Sequence, residues 1–218
     1  MPVPTLREYF DRWQVQHNAP DLDPGSTTLL RLFLTFTYVC AKPFAKHRVS
    51  PNVITFLGLG VAGLVVPCAD RWPIAAAFLI FLSTLTDGVD GCVAALNDCA
   101  TRFGFVLDSV VDRFADGLFL YALVRAGGAT GLAVGAGCAT VALEYTRARA
   151  GAAGFGEVGI VTIGERPTRA VAAILGLVGA QALSTKPWVG PNIALAVTLI
   201  AGAFGSLQLF RHLWRNPD

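Results

Sequence analysis

The stretch LTDGVDGCVAALNDCATRFGFVLDSVVDR, residues 85–113, places five aspartates in a chain that is otherwise strongly apolar. Asp87 and Asp90 are three residues apart, and Asp108 and Asp112 are four apart. Each pair therefore shares one face of a helix. A short polar connection is expected to turn the two helices antiparallel. The stretch predicts a helical hairpin that brings four carboxylates together.

The rest of the composition is typical of a membrane protein. Of the 218 residues, 54% are hydrophobic and only 15% are charged, and the mean hydropathy is +0.55. Soluble domains usually carry about 25% charged residues. The five cysteines and three histidines are dispersed without paired spacing. A disulfide framework, a zinc site or a histidine-based nucleophile is therefore not expected.

Six apolar runs of about 20 residues are long enough to cross a bilayer as helices. They cover approximately residues 50–70, 72–96, 102–126, 130–149, 166–183 and 191–213. The predicted fold class is an all-α integral membrane protein with six transmembrane helices, forming one domain over 50–215.

Two shorter segments precede this predicted domain. Residues 1–25 are expected to form a soluble or surface-lying head. Residues 26–49 are apolar but carry the cations Arg31, Lys42, Lys46 and Arg48. This pattern favours an amphipathic juxtamembrane helix, whose cations face headgroups while its Leu and Phe enter the acyl boundary. A seventh span is the alternative.

The distribution of positive charge predicts the orientation. With the amino terminus inside, 14 of the 17 Lys and Arg residues lie on inner segments. Only Arg71, Arg125 and Lys186 fall on outer turns. Cytoplasmic segments are enriched in Lys and Arg, so both termini are expected in the cytoplasm, with the aspartate hairpin at the cytoplasmic surface.

The aspartates on paired helix faces indicate a metal site. A charged side chain at the bilayer centre costs about 2.5–3.5 kcal/mol, and clustered carboxylates are ligands for Mg²⁺, Mn²⁺ or Ca²⁺. Solvation at a helix boundary, or pairing with arginine, is the alternative. Asp98 falls in the turn and is expected to be solvated, and Asp116 is expected to lie outside the metal-binding set.

The hairpin resembles the signature of the CDP-alcohol phosphotransferases, Asp-x2-Asp-Gly-x2-Ala-Arg-x8-Gly-x3-Asp-x3-Asp. Every gap length matches, and seven of the eight fixed residues that we compare match: Asp87, Asp90, Gly91, Ala94, Gly104, Asp108 and Asp112. Ala95 stands where the signature has arginine, and Arg102 is the nearest substitute in sequence. In addition, SPNVIT, residues 50–55, resembles the family's Pro-Asn-x2-Thr box.

The resemblance implies a role for each matching residue. Asp87, Asp90, Asp108 and Asp112 would hold two divalent cations, Mg²⁺ or Mn²⁺, and Asp112 would act as general base. The residues implied in binding the CDP-linked donor are Asn52, Thr55, Gly91, Ala94, Thr101, Arg102 and Gly104. The implied partners are CDP-diacylglycerol, a polar alcohol, membrane lipids and a second copy of the chain, with no nucleic acid.

A second informative stretch covers residues 144–170 and contains Arg147, Arg149, Arg166 and Arg169. Positive-inside topology by itself explains some of these cations. However, arginine also pairs bidentately with phosphate, so they are candidate ligands of a phosphorylated acceptor. The Arg-Ala-Arg and Glu-Arg-Pro-x-Arg patterns resemble the bacterial phosphatidylinositol-phosphate synthase branch. This favours inositol phosphate, with glycerol 3-phosphate as the competitor.

The resemblance therefore implies an enzyme of membrane phospholipid biosynthesis in the bacterial cytoplasmic membrane. It would transfer a phosphatidyl group to an alcohol and release CMP. Three alternatives remain: an inactive relative, a membrane prenyltransferase, and an ion-coupled transporter. A prenyltransferase would carry aspartate pairs further apart in sequence, and a transporter would bind its ion at the intramembrane aspartates.

Overall fold

The computed structural model describes residues 3–16, 28–155 and 162–216 of the protein. Within these ranges the structure is all-α, which confirms the predicted fold class at that level. The helices are α1 (Leu6–Gln16), α2 (Thr28–Lys46), α3 (Pro51–Cys68), α4 (Pro73–Leu96), α5 (Arg102–Arg125), α6 (Thr130–Ala152), α7 (Arg166–Ala182) and α8 (Val189–Arg215). Of the predicted head, residues 1–2 and 17–25 lie outside the described ranges.

Helices α3 to α8 coincide with the six predicted apolar runs to within a few residues. In the described part of the chain, α3, α4 and α8 are long and apolar enough to cross a membrane. The charges of the signature lower the hydropathy of α5, charged residues also lie in the last turns of α6, and α7 has only 17 residues. The apolar helices make the protein an integral membrane protein.

The boundaries of several helices have local causes. Thr5 and Glu8 form a capping box at α1, in which the Thr5 backbone amide donates to Glu8 Oε2 at 2.6 Å. The hydroxyl of Thr101 caps α5 by accepting from the Gly104 amide at 2.9 Å. Gly127, with φ of 101°, ends α5 in the left-handed conformation that glycine adopts without strain.

The chain divides into two compact units, and the first comprises residues 1–60 and 82–112. Its core joins α1, α2 and α4, with Tyr9 stacked on Tyr38 at 5.9 Å between ring centroids. Helix α2 buries Leu34 in this core and exposes Phe33 and Phe36. Helix α2 thus packs one face in the core and leaves an apolar face exposed, which fits the predicted juxtamembrane role. In the described part of the chain, α2 is not among the helices that are long and apolar enough to span a membrane.

The second unit comprises residues 61–81 and 113–218. In this unit α8 packs against both α6 and α7. At the crossing with α7, a Cβ added to Gly190 would lie 2.5 Å from the carbonyl oxygen of Gly176. Glycine at this position therefore permits the backbones to approach closely, as is common between membrane helices.

Candidate active site

Three carboxylates of the first unit converge into a candidate metal centre. One oxygen from each of Asp87, Asp108 and Asp112 lies within 4.8 Å of the others, and all three side chains are half-buried. Asp87 comes from α4 and the other two from one face of α5, as their spacing predicts. Converging carboxylate oxygens suit a hard divalent cation, so the residues fit Mg²⁺ or Mn²⁺.

The fourth aspartate of the signature, Asp90, has a different environment. It is only 5% exposed, and its Oδ2 accepts a hydrogen bond from the hydroxyl of Thr55 on α3. The Thr55 hydroxyl also lies 3.1 Å from the carbonyl oxygen of Pro51. Thr55 therefore orients a carboxylate, a role the sequence did not indicate. The metal-binding role of Asp90 stays a prediction.

A cavity of about 770 Å³ adjoins this aspartate within the first unit. Asp90 and Asp108 both line it, so the cavity and the carboxylate cluster share a wall. It is also lined by six of the seven residues predicted to bind the donor: Asn52, Thr55, Gly91, Ala94, Thr101 and Gly104. The seventh, Arg102, is exposed at the start of α5 and is not part of this lining.

Two glycines keep the cavity wall free of side chains. A Cβ built on Gly91 would meet no atom within 4 Å, so it would point into open space. A Cβ on Gly104 would lie 3.4 Å from Oδ1 of Asn52 and 3.1 Å from the Thr101 hydroxyl. Both positions thus allow a ligand or a neighbouring polar group to approach the backbone.

Sequence reasoning did not assign Arg12 of α1 to the site, although Arg12 lines the cavity. Its Nη1 donates hydrogen bonds to the backbone carbonyls of Ala95, at 2.7 Å, and Leu96, at 3.1 Å. Lys46 and Arg48 line the cavity as well. The absent signature arginine was the only sequence signal that another cation was needed here.

In the second unit, Arg147 of α6 forms a bidentate pair with Glu165. Nη1 and Nη2 donate to the two carboxylate oxygens at 2.9 and 2.6 Å. Burial acts to raise the pKa of Glu165, but hydrogen bonds from Arg147 and from the Thr162 amide outweigh it, and the pKa lies below its usual value. Glu165 is therefore ionised at neutral pH and holds Arg147 in a fixed orientation.

The other three arginines of this segment differ in their surroundings. Arg169 is 5% exposed, and its Nη2 contacts Asp116 at 3.0 Å and Glu144 at 3.1 Å. It therefore belongs to a buried ionic network. Arg149 is exposed on α6, and Arg166 is half-buried at the start of α7. The acceptor-binding role of all four residues stays a prediction.

The chain matches the family model described as CDP-alcohol phosphatidyltransferase over residues 48–204. That match covers most of the chain, and the chain belongs to this family. It is therefore a phosphotransferase that uses a CDP-linked donor, and its carboxylate cluster is suited to the Mg²⁺ or Mn²⁺ on which this chemistry depends. The family predicted from the hairpin signature is confirmed.

Individual relatives carry more specific names. The chain is 34% identical over 179 residues to a phosphatidylinositol phosphate synthase of Corynebacterium glutamicum, covering 77% of each chain. It is 32% identical over 162 residues to an archaetidylinositol phosphate synthase of Methanothermobacter thermautotrophicus, covering 72% of this chain and 81% of the relative.

A solved structure shares the fold. The crystal structure of Mycobacterium tuberculosis phosphatidylinositol phosphate synthase with CDP-DAG bound matches with a TM-score of 0.65 and 25% identity. The match covers 82% of this chain and 93% of that one.

Proposed function

We propose that this protein transfers the phosphatidyl group of CDP-diacylglycerol to a hydroxyl of inositol phosphate and releases CMP. The observation that carries the proposal is the shared wall between the carboxylate cluster and the cavity, to which Asp108 contributes. A diphosphate at that wall would lie against the metal-binding carboxylates while its nucleotide occupies the cavity.

The carboxylates would hold the cations in this reaction. Asp87, Asp108 and Asp112 supply the close set, and Asp90 is the proposed additional ligand of a two-metal site. When bound, two divalent cations clamp a diphosphate and stabilise negative charge on the attacking and leaving oxygens. Thr55 keeps the Asp90 carboxylate oriented through its hydrogen bond.

The transfer itself balances with the residues present. The acceptor hydroxyl oxygen forms a bond to the phosphorus that carries the diacylglycerol, and the bond from this phosphorus to the CMP oxygen breaks. Asp112 takes the hydroxyl proton, as a carboxylate within reach of the hydroxyl can. CMP leaves with the electron pair of the broken bond.

Inositol phosphate is favoured as acceptor by the relatives. The bacterial and archaeal relatives are named for different lipids, phosphatidyl and archaetidyl, but both names contain inositol phosphate. In this chain an arginine-rich segment is present to bind a phosphate. Arg149 and Arg166 are the proposed ligands of the acceptor phosphate. Glu165 fixes the orientation of Arg147, and Arg169 stabilises the segment through the buried ionic network.

We propose that the six helices α3 to α8 form one membrane domain, over 50–215, with both termini in the cytoplasm. The positive-inside charge distribution supports this orientation. The site would then open to the cytoplasmic face of a bacterial membrane, where CDP-linked donors present their headgroups. The family resemblance implies a homodimer, which size-exclusion chromatography with light scattering would test.

One assay tests the reaction. Purified protein with CDP-diacylglycerol and Mg²⁺ is offered inositol phosphate, glycerol 3-phosphate, inositol or serine, and CMP release is followed. We expect release with inositol phosphate, and a loss of about 10²-fold or more in kcat for Asp112→Asn. Asp11→Asn, on the exposed face of α1, is the matched control. Preference for glycerol 3-phosphate would overturn the acceptor, and full activity in Asp112→Asn would overturn the mechanism.

A further inference from the structure

Helix α1 is fixed to the first unit although it lies outside residues 48–204, which carry the family match. Tyr9 is 2% exposed and belongs to the same buried cluster as Tyr38 and Ala95. The hydroxyl of Tyr38 donates to the carbonyl oxygen of Pro4 at 2.8 Å, just before α1 begins. These contacts hold the helix beside the carboxyl end of α4.

The signature position without its arginine lies at this junction. Ala95 is 9% exposed and packs in the cluster that contains Tyr9. This burial leaves little room for an arginine side chain at position 95. The small residue at 95 and the docked helix are therefore compatible with each other.

Arg12 brings a guanidinium to the backbone of position 95. Its Nη1 lies 2.7 Å from the carbonyl oxygen of Ala95 itself, and Arg12 lines the cavity together with Ala94 and Gly91. Arg102, the nearest arginine in sequence, is not part of that lining. The cation at this end of α4 thus comes from a different helix.

The position of Arg12 along α4 indicates which part of a donor it would meet. Asp87 precedes Ala95 by eight residues, about 12 Å along a helix. With the diphosphate at the carboxylates and the nucleoside in the cavity, as under the proposed function, the nucleoside would lie on the side that Arg12 lines. The guanidinium has five N–H donors, and Nη1 accounts for two of them. Nε and Nη2 carry the other three.

We propose that Arg12 binds the nucleotide half of the CDP-linked donor, so that α1 supplies the cation that the family signature places at position 95. This proposal rests on the assignment of the cavity to the donor under the proposed function. The competing explanation is purely structural, because a cation also stabilises the carbonyls at the carboxyl end of a helix.

The test compares Arg12→Gln, Arg12→Lys and the control Arg7→Gln, which lies on the exposed face of α1. Glutamine keeps an N–H donor for the carbonyls of Ala95 and Leu96 but removes the charge. Four quantities are measured for each variant: the KM for CDP-diacylglycerol, the KM for the acceptor, the Kd for CMP, and the melting temperature.

We expect Arg12→Gln to raise the donor KM and the CMP Kd about tenfold or more, as for loss of a charge-assisted hydrogen bond. The acceptor KM and the melting temperature should stay close to wild type, and Arg12→Lys should lie between. If Arg12→Gln is unstable, Arg12→Lys decides, because it retains the charge and loses only the planar donor geometry. A raised CMP Kd in Arg12→Lys would then support the proposal, and an unchanged CMP Kd would overturn it.

A lower melting temperature of Arg12→Gln with unchanged CMP Kd and donor KM would overturn the proposal and leave a helix-capping role. Equal increases in the donor and acceptor KM would also overturn it. If the wild type binds CMP but releases none from CDP-diacylglycerol, the proposed function fails, whereas the CMP titrations still decide the role of Arg12.

Discussion

The hydroxyl of Thr55 on α3 donates a hydrogen bond to Oδ2 of Asp90 on α4, linking two motifs that are 35 residues apart in the chain. Both side chains are buried, at 8% and 5% exposure. The Pro-Asn-x2-Thr box therefore acts on the aspartate signature directly. Its threonine fixes a carboxylate that would otherwise rotate at the cavity wall.

Thr55→Val should separate this orienting role from packing, because valine keeps the shape and removes the hydroxyl. A buried carboxylate oxygen without its donor costs about 1–3 kcal/mol. We expect kcat for CMP release to fall about tenfold, which corresponds to about 1.4 kcal/mol. Thr55→Ser retains the hydroxyl and should stay near wild type. Equal activity of the valine and serine variants would contradict the orienting role.

Divalent cations should stabilise the protein through the cluster formed by Asp87, Asp108 and Asp112. A ligand at 100 times its Kd adds about 2.7 kcal/mol to the stability of the state that binds it. We therefore expect Mg²⁺ or Mn²⁺ to raise the melting temperature in detergent, and Asp108→Asn to lose most of that increase. Asp11→Asn should keep the increase in melting temperature. Chelation should remove the increase, and Mg²⁺ added back afterwards should restore it. An unchanged increase in Asp108→Asn would place the cation elsewhere.

Gly91→Ala should impair donor binding without harming the fold. The added methyl meets no protein atom within 4 Å and points into the cavity. Alanine in a helix interior is favoured over glycine by up to about 1 kcal/mol, so the melting temperature should hold or rise. The KM for CDP-diacylglycerol should increase severalfold. Gly60→Ala is the matched control, because its added Cβ also has no protein atom within 4 Å. Gly60 is exposed on α3 and does not line the cavity. A similar KM in both variants would show that position 91 does not contact the donor.

Substitution of Arg169 should lower stability, whereas substitution of Arg149 should weaken acceptor binding. Arg169→Ala removes the buried partner of Asp116 and Glu144, and loss of one member of a buried pair costs about 3–5 kcal/mol. Arg113 also contacts both carboxylates, so the lower end of that range is expected in thermal unfolding. Arg149→Ala should leave the melting temperature unchanged and raise the acceptor KM more than the donor KM. The reverse pattern would exchange the two assignments.

The hairpin shows which features of the site sequence periodicity predicts. Spacing of three and four residues placed Asp87 on one helix and Asp108 and Asp112 on one face of the next, and the structure brings these three together. The same spacing could not distinguish Asp90, which the structure places against Thr55. Periodicity fixes the face of a helix, but the partner on that face depends on which other helix packs there.

The arginines show what the sequence pattern does not predict, namely the ionic partners of each side chain. The pattern of residues 144–170 identified four cations but not their partners. Glu165, Glu144 and Asp116 engage Arg147 and Arg169 through side chains that converge only when α5, α6 and α7 fold together. A carboxylate distant in sequence leaves no periodic signal beside the arginine that it neutralises.

The sequence by itself determined the helical class, the approximate bounds of the apolar helices, the family and the three aspartates that converge, because each depends on local spacing and composition. Only the tertiary structure decided that Thr55 orients Asp90, that Arg169 is buried in an ionic network, and that Arg12 rather than Arg102 lines the cavity beside Ala95. These are contacts between helices far apart in the chain. They follow from side-chain packing in three dimensions, which the one-dimensional pattern does not encode at any single position.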